Sequence, residues 1–506
     1  MPARTSTVPV VPSPLAQVEL TDLSRRGALR AAIMGPGPDE AEELWLGPAA
    51  AELLGSDDGA DLTGKAGELH AVQATGAKAW LVGVGARRPI DWRVAGATLA
   101  RAADGALEAS GATPAQRSIE LALPADLDVA ELESLVLGLL LGGYRFKVTE
   151  QEPKPKVRTI RLRVPEASPE LRGAVQRAAV LASASALTRD LANMPSDLKT
   201  PAWLADTAER VGSAVTGLAV TVRDEQWLTE HGFGGILAVG GGSTRPPRLI
   251  ELAWRPRGAT GPHLVLIGKG ITFDTGGISL KRVPGVHLMR TDMAGGGAVI
   301  AALRAIAELR LPIRVTGLVP TAENHLSGSA YRPGDVIRHY GGRTTEATNT
   351  DAEGRIVLAD GLAYAVKQHK ADLLVDVATL TGAMKVSLGL RTGGLFASTD
   401  ELAARVRDAG ERVGEAWWRM PLLPSSEAEI ESDIADSRQI GTSANPGSIH
   451  AALFLRGFTA DLPWAHLDIA GPARAESSYA EVTPGASGFA ARTLVALAES
   501  LAEQAR

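Results

Sequence analysis

Asp351 and Glu353 stand two positions apart in Asn349-Thr350-Asp351-Ala352-Glu353-Gly354-Arg355. Directly after them, residues 356–370 carry apolar side chains near helical spacing, so the acidic pair belongs to a loop or first turn entering a helix. On an extended loop, side chains at i and i+2 point the same way. Two aligned carboxylates in a dry cleft cannot both stay charged without a cation. A salt-bridged helix start would use the same residues without any ligand. A second stretch brings Lys269, Asp274, Lys281 and Asp292 close together in sequence. The four carboxylates Asp274, Asp292, Asp351 and Glu353 carry enough charge to balance two divalent ions. Oxygen donors suit Mn²⁺, Mg²⁺ or Zn²⁺ without choosing among them. A lysine joins such a set only as the neutral amine, which a neighbouring dication permits by lowering its pKa.

These residues need elements to hold them. The apolar run 263–267 reads as a buried strand, so Lys269 and Asp274 fall just past its carboxyl end. Open α/β sheets hold their ligands there. Asp292 precedes Ala294-Gly295-Gly296-Gly297, whose glycines allow close backbone approach, and a helix pattern follows over 298–309. Further strands are expected at 313–318 and 373–377, with a helix over 356–370 between them. Continuous apolar strands alternating with helices argue for a mostly parallel sheet covered on both faces. Lys269, Glu323-Asn324 and Thr379-Leu380-Thr381-Gly382 each follow one of these strands and so share one sheet edge.

With these stretches go Val319-Pro320-Thr321-Ala322-Glu323-Asn324, Tyr331-Arg332-Pro333-Gly334-Asp335, Ala378-Thr379-Leu380-Thr381-Gly382-Ala383 and Trp464-Ala465-His466-Leu467-Asp468-Ile469-Ala470-Gly471. Several long motifs in this order resemble the signature of the leucine aminopeptidase (cytosol aminopeptidase) family, bacterial type, from about residue 189 onward. The resemblance implies a metal-dependent aminopeptidase with two divalent ions per subunit, Mn²⁺ or Zn²⁺, assembled as a homohexamer. It implies that Lys269, Asp274, Asp292 and Glu353 hold the tighter metal. Asp274, Asp351 and Glu353, with the Asp351 carbonyl, would hold the more exchangeable one. A water between two such ions becomes hydroxide near neutral pH and can attack a peptide carbonyl. Lys281 would polarise that carbonyl. Arg355 would hold a bicarbonate as proton carrier, a planar anion suited to a guanidinium. Met289, Thr379 and Gly382 would surround the first substrate side chain, and the Leu380 carbonyl would accept from the substrate main chain. A Met-lined slot suits leucine or methionine on a peptide with a free N-terminus. Simple ion pairing would account for Lys281 and Arg355, and core filling for Met289, without these roles.

The whole chain fits this reading. Its 506 residues suffice for two or more domains, and 45% hydrophobic with 22% charged residues is ordinary globular composition. Lys and Arg number 52 against 58 Asp and Glu, a net −6 that argues against a general nucleic-acid or anionic-membrane surface. No cysteine is present, which rules out disulfides and thiolate ligands. Residues 1–16 lack a signal-peptide core and read as a disordered tail, and the run 135–141 is too short to span a bilayer. A cytoplasmic location is expected. Residues 17–148 read as a smaller N-terminal α/β domain, with a strand and glycine turn at 79–85, helices at 94–103 and 130–141, and a strand at 144–148. Residues 149–192 read as a connector and a linking helix capped by Ser168-Pro169-Glu170. Residues 193–506 form the catalytic domain. His466 reads as a core histidine, and His287 and His325 as loop residues near the motifs. Gly361 stands where the family resemblance leads one to expect alanine, a local helix cost of about 1 kcal/mol. A two-metal phosphoesterase, or a DNA-binding or scaffold protein on the same fold, are the rival readings.

Overall fold

A computed structural model describes residues 9–23, 28–36, 44–54, 61–74, 77–110, 117–150, 156–259, 261–282, 284–443 and 446–504. The chain divides into two units. One holds the chain up to Ala186 together with Glu476–Pro484; the other holds Leu187–Ala475 and everything from Gly485 on. The division falls inside the helix Pro169–Asn193, which occupies the place expected of the linking helix. The return of Glu476–Pro484 to the first unit has no counterpart in the sequence reading, which kept the segment in the catalytic domain.

The first unit is built on a seven-stranded sheet among the described residues. Its order is Gln17–Thr21, Thr159–Arg163, Ser118–Ala122, Leu29–Pro36, Ala77–Gly83 and Leu69–Ala74, with Leu44–Leu46 added to Leu29–Pro36. All neighbours are parallel except Leu69–Ala74 and Leu44–Leu46. Thr159–Arg163, expected within the connector, is an interior strand instead. Its Ile160 and Leu162 are buried while the alternate Thr and Arg positions are not, the period of two that a strand requires. Residues 144–148, expected as a strand, are not in one. Helices Pro89–Ser110 and Val129–Gly142 stand where shorter ones were expected. Of the expected tail, residues 1–8 lie outside the described residues. Within residues 9–16 Val11 is buried, while Val10 is exposed. Flanking prolines restrict that backbone in advance, so little entropy is lost on packing it.

The second unit carries a nine-stranded sheet in the order Ala416–Arg419, Thr392–Ala397, Trp464–Asp468, Leu373–Ala378, Leu264–Gly268, Val315–Asn324, Arg248–Trp254 and Leu218–Arg223, with Gly270–Asp274 added to Val315–Asn324. The four central strands, from Trp464–Asp468 to Val315–Asn324, run parallel. They are buried along their whole length, as parallel strands covered on both faces are. Val265 and Ile267 share a core with Ile356, Val357 and Leu362 of the helix Glu353–Tyr364. On the opposite face, Gly317 meets Val299 and Leu303 of the helix Ala294–Glu308. Val315–Asn324 runs through Pro320, beyond the expected end at 318. Pro320 falls between the pairing to Leu264–Gly268, which stops at Leu318, and the pairing to Gly270–Asp274, which starts at Thr321. A residue without an N–H is tolerated at such a break. Among the described residues no helix is long and apolar enough to cross a membrane.

Gly361 has a packing reason. A Cβ there would lie 2.8 Å from Ile267 Cγ2, inside the core between helix and strand. Helix propensity alone would make Gly361→Ala stabilising by about 1 kcal/mol. The overlap reverses the sign, and the variant is expected to be less stable by about 1–2 kcal/mol. Urea denaturation checks this; a raised midpoint would refute the close contact.

Candidate active site

Strand ends build the site. Leu264–Gly268 delivers Lys269, Gly270–Asp274 ends in Asp274, Val315–Asn324 ends in Asn324, Leu373–Ala378 delivers Thr379 and Leu380, and Trp464–Asp468 ends in Asp468. The acidic pair enters from above: Asp351 lies in the 3-10 turn Thr350–Ala352, and Glu353 is the first residue of its helix. The helix thus begins three residues before the apolar pattern does. An acid in the first turn suits the positive end of the helix dipole.

Lys269 Nζ lies 2.8 Å from Asp292 Oδ2, 2.8 Å from Glu353 Oε1 and donates to the Thr379 carbonyl at 3.1 Å. It fits because residue 354 is glycine: a Cβ there would sit 2.5 Å from Lys269 Cε. Lys281 Nζ lies 2.8 Å from Asp274 Oδ2 and also contacts Asp351 Oδ1. One oxygen each from Asp274, Asp351 and Glu353 lies within 4.8 Å of the others. The Lys281 ion pairs raised in the sequence reading are present. Arg355, by contrast, donates from Nη1 to the Gln439 carbonyl at 2.8 Å, and no ion pair joins it to the acids among the described residues.

Four carboxylates face two ammonium groups, a surplus of negative charge in a buried space. The consequences are visible in the protonation preferences. Burial, and then the nearby Glu353, push the Asp274 carboxyl up to about 6. Burial raises Asp292 further, in spite of Lys269, and also raises Asp351. Burial opposes ionisation of Glu353 too, but Lys269 and Lys281 hold it below the usual range. Both lysines are raised: burial works against their charge, and Asp292 and Glu353 for Lys269, or Asp274 and Glu353 for Lys281, overcome it. Burial lowers Arg355 to about 10. Glu353 Oε2 is buried with no hydrogen-bond partner among the described residues. A surplus of buried anion and an orphaned carboxylate oxygen fit a divalent cation.

Amides and hydroxyls fix the ligands. Asp274 Oδ1 accepts from the Gly276 amide at 2.8 Å and from Asn324 Nδ2 at 2.8 Å. Asn324 Nδ2 also donates to the Thr350 carbonyl, as does the Tyr331 hydroxyl. Thr379 Oγ1 donates to Asp292 Oδ1 at 2.7 Å. Asp468, raised by burial, accepts from the Leu380 and Thr381 amides and from Thr381 Oγ1. Met289 is half-buried in the 3-10 turn Val286–Thr291, and the Asp292 amide donates to its carbonyl at 3.1 Å. Gly382 opens the helix Gly382–Leu388 with nothing within 4 Å of where a Cβ would be. His466 is a buried core residue, 2.6 Å from Asp376, and His287 and His325 are exposed. Asn324 stands on the sheet edge where the sequence placed it, whereas Asp468 and Gln439 were not singled out. Asp468 ends a strand inside a quoted motif and was within reach; Gln439 carries no spacing signal.

Residues 186–495 match the family described as "Cytosol aminopeptidase family, catalytic domain". The chain belongs to this family. Cytosol aminopeptidase membership makes it a metal-dependent aminopeptidase that acts on peptides. It is 43% identical over 458 residues to the "Probable cytosol aminopeptidase" of Leifsonia xyli, covering 86% of this chain and 90% of that one. With the protein of the same name from Micrococcus luteus, identity is 40% over 500 residues, 93% and 95% of the two chains. Among solved structures, the "Bottromycin maturation enzyme BotP in complex with Mn" is similar at 38% identity with a TM-score of 0.81, covering 94% of this chain and 99% of that one. A tomato leucine aminopeptidase variant is 30% identical with a TM-score of 0.84, covering 98% of each chain. The expected two-domain α/β architecture of a leucine aminopeptidase is thus the one present.

Proposed function

We propose that the chain is a two-metal leucyl aminopeptidase, releasing leucine and other apolar residues from peptide N-termini. The carrying observation is the cluster of buried Asp274 and Glu353 with half-buried Asp351, their oxygens within 4.8 Å and Glu353 Oε2 unsatisfied. Asp274, Asp292, Asp351, Glu353 and Lys269 as its neutral amine are the residues that would hold two divalent ions. The manganese of the BotP structure supports that choice of cofactor. When bound, such ions supply a water acidic enough to ionise near neutral pH. Lys281, paired here with Asp274 and Asp351, would donate to the scissile carbonyl oxygen as negative charge develops there. Asp292, held by Thr379 Oγ1, would accept from the substrate amine. Met289, Thr379 and Gly382 would bound the side-chain slot, with the Leu380 carbonyl accepting from the substrate backbone. Arg355, buried and short of partners at Nε, would hold a bicarbonate that carries the proton. A cytoplasmic location accords with the relatives' name.

Rates on a panel of aminoacyl anilides, with each metal, with and without chelator and beside a phosphomonoester, test this reading. Leucyl-anilide is expected to lead the panel. Phosphomonoester turnover without anilide cleavage would favour the phosphoesterase instead.

A homohexamer is also expected. Val386, Trp418 and Ile434 are exposed apolar side chains on the catalytic unit, which contact between copies would cover. Light scattering should give six chains; a monomer mass across a wide concentration range, with activity kept, would refute it.

A further inference from the structure

The geometry points to Gln439 as a positioning residue that clamps the acidic loop at both flanks. The inference rests on the metal-binding reading of that loop. Gln439 is fully buried and follows the short strand Ser437–Arg438, which pairs in parallel with Thr344–Glu346. Its own amide continues that ladder, donating to the Glu346 carbonyl at 3.0 Å. The backbone of Gln439 is therefore fixed before its side chain acts.

The side chain uses both ends of its amide. Oε1 accepts from the Thr348 amide at 3.0 Å and from the Asn349 amide at 3.1 Å, just before the acids. Nε2 donates to the Ala352 carbonyl at 3.0 Å, between Asp351 and Glu353. The backbone carbonyl of Gln439 accepts from Arg355 Nη1 at 2.8 Å, just after them. One residue thus holds the loop at positions 348, 349, 352 and 355. Asp351 and Glu353 project from between these fixed points. None of the four bonds uses a carboxylate oxygen of the cluster, so those oxygens stay available to a cation. Only a glutamine supplies two acceptor bonds and one donor bond at this reach: methionine has the length without the bonds, and asparagine lacks one methylene. Partners that orient metal ligands typically carry a 10- to 100-fold effect on metal affinity.

The test is Mn²⁺ binding to the metal-free full chain by calorimetry, in the wild type and in Gln439→Met. The variant should bind Mn²⁺ about 10- to 100-fold more weakly. The Mn²⁺ concentration for half-maximal leucyl-anilide hydrolysis should rise by the same factor. With Mn²⁺ in excess, kcat should recover and KM stay unchanged, which a general packing defect would not produce. Wild-type Mn²⁺ affinity in the folded variant overturns the proposal. Should Gln439→Met fail to fold, Gln439→Glu decides. It keeps the bonds to 348 and 349, loses the donor to Ala352, and adds a negative charge that by itself favours a cation. Weaker Mn²⁺ binding in Gln439→Glu therefore reports geometry and supports the clamp; equal or tighter binding overturns it. A wild type that binds Mn²⁺ yet cleaves no anilide refutes the aminopeptidase reading, while calorimetry on the variants still judges the clamp.

Discussion

Asp274→Ala is expected to lose nearly all hydrolysis of leucyl-anilide, at least ~10²-fold in kcat/KM, because outer partners of metal ligands alone can carry that much. Asp274 lies between Lys281 and Glu353, and both of its oxygens are committed by buried contacts. Its carboxyl, pushed up to about 6 by burial and Glu353, is one that a cation would return to the charged form. Exhaustive chelation of the wild type should silence it equally, with Mn²⁺ or Zn²⁺ restoring the rate. Chelation should leave Asp274→Ala little to lose. Full activity in a wild-type protein shown to be metal-free would sink the metal mechanism. A wild-type rate in folded Asp274→Ala would remove Asp274 from the ligand set.

The second large effect concerns the substrate. Leucyl-anilide is expected to be cleaved and its N-acetyl form not, by a factor of at least ~10³. Asp292 is buried, and its Oδ1 accepts from Thr379 Oγ1 and Lys269 Nζ, so under the proposed function it would be a held acceptor for the substrate amine. Anchoring the chain end there would set the first peptide carbonyl beside Lys281, and such orientation can be worth several kcal/mol of barrier. Acetylation removes the amine's capacity as ligand and adds bulk. The comparison needs equal substrate concentrations and saturating metal. Comparable rates on the two compounds would mean an endopeptidase-like or esterase-like site.

Much of the catalytic unit was legible in the sequence. Its central strands are continuous apolar runs, which is what burial on both faces demands, and its charged residues of interest follow those runs directly. Long-range consequences were not legible. Thr159–Arg163 lies in a charged, proline-bearing neighbourhood, and its two-residue alternation is too short to outweigh that context, yet sheet pairing on both sides makes it interior. The acidic pair was legible as a loop or first turn, but not which of the two, because apolar periodicity begins only at Ile356 while a helix can start on any residue whose first turn is satisfied. Gly354 and Gly361 look like helix weaknesses in sequence. Their worth lies in what crosses them, a lysine stem in one case and a strand methyl in the other. Gln439 is a single polar residue 84 to 91 positions from the residues it holds, and no local pattern encodes such a bond.

The return of Glu476–Pro484 to the first unit bears on how the chain is made. Within that unit, Glu481 faces Arg93 at 3.7 Å, the Ala480 carbonyl accepts from Arg101 at 3.0 Å, and Thr483 donates to the Tyr144 carbonyl at 3.2 Å. About 290 residues separate Ala186 from Glu476. At ~5–20 residues per second of synthesis, the N-terminal unit waits on the order of 15–60 s for its last segment. It leaves the ribosome ahead of the second unit and is completed only after most of that unit has been made, so a stop codon anywhere before 476 withholds a part of both units.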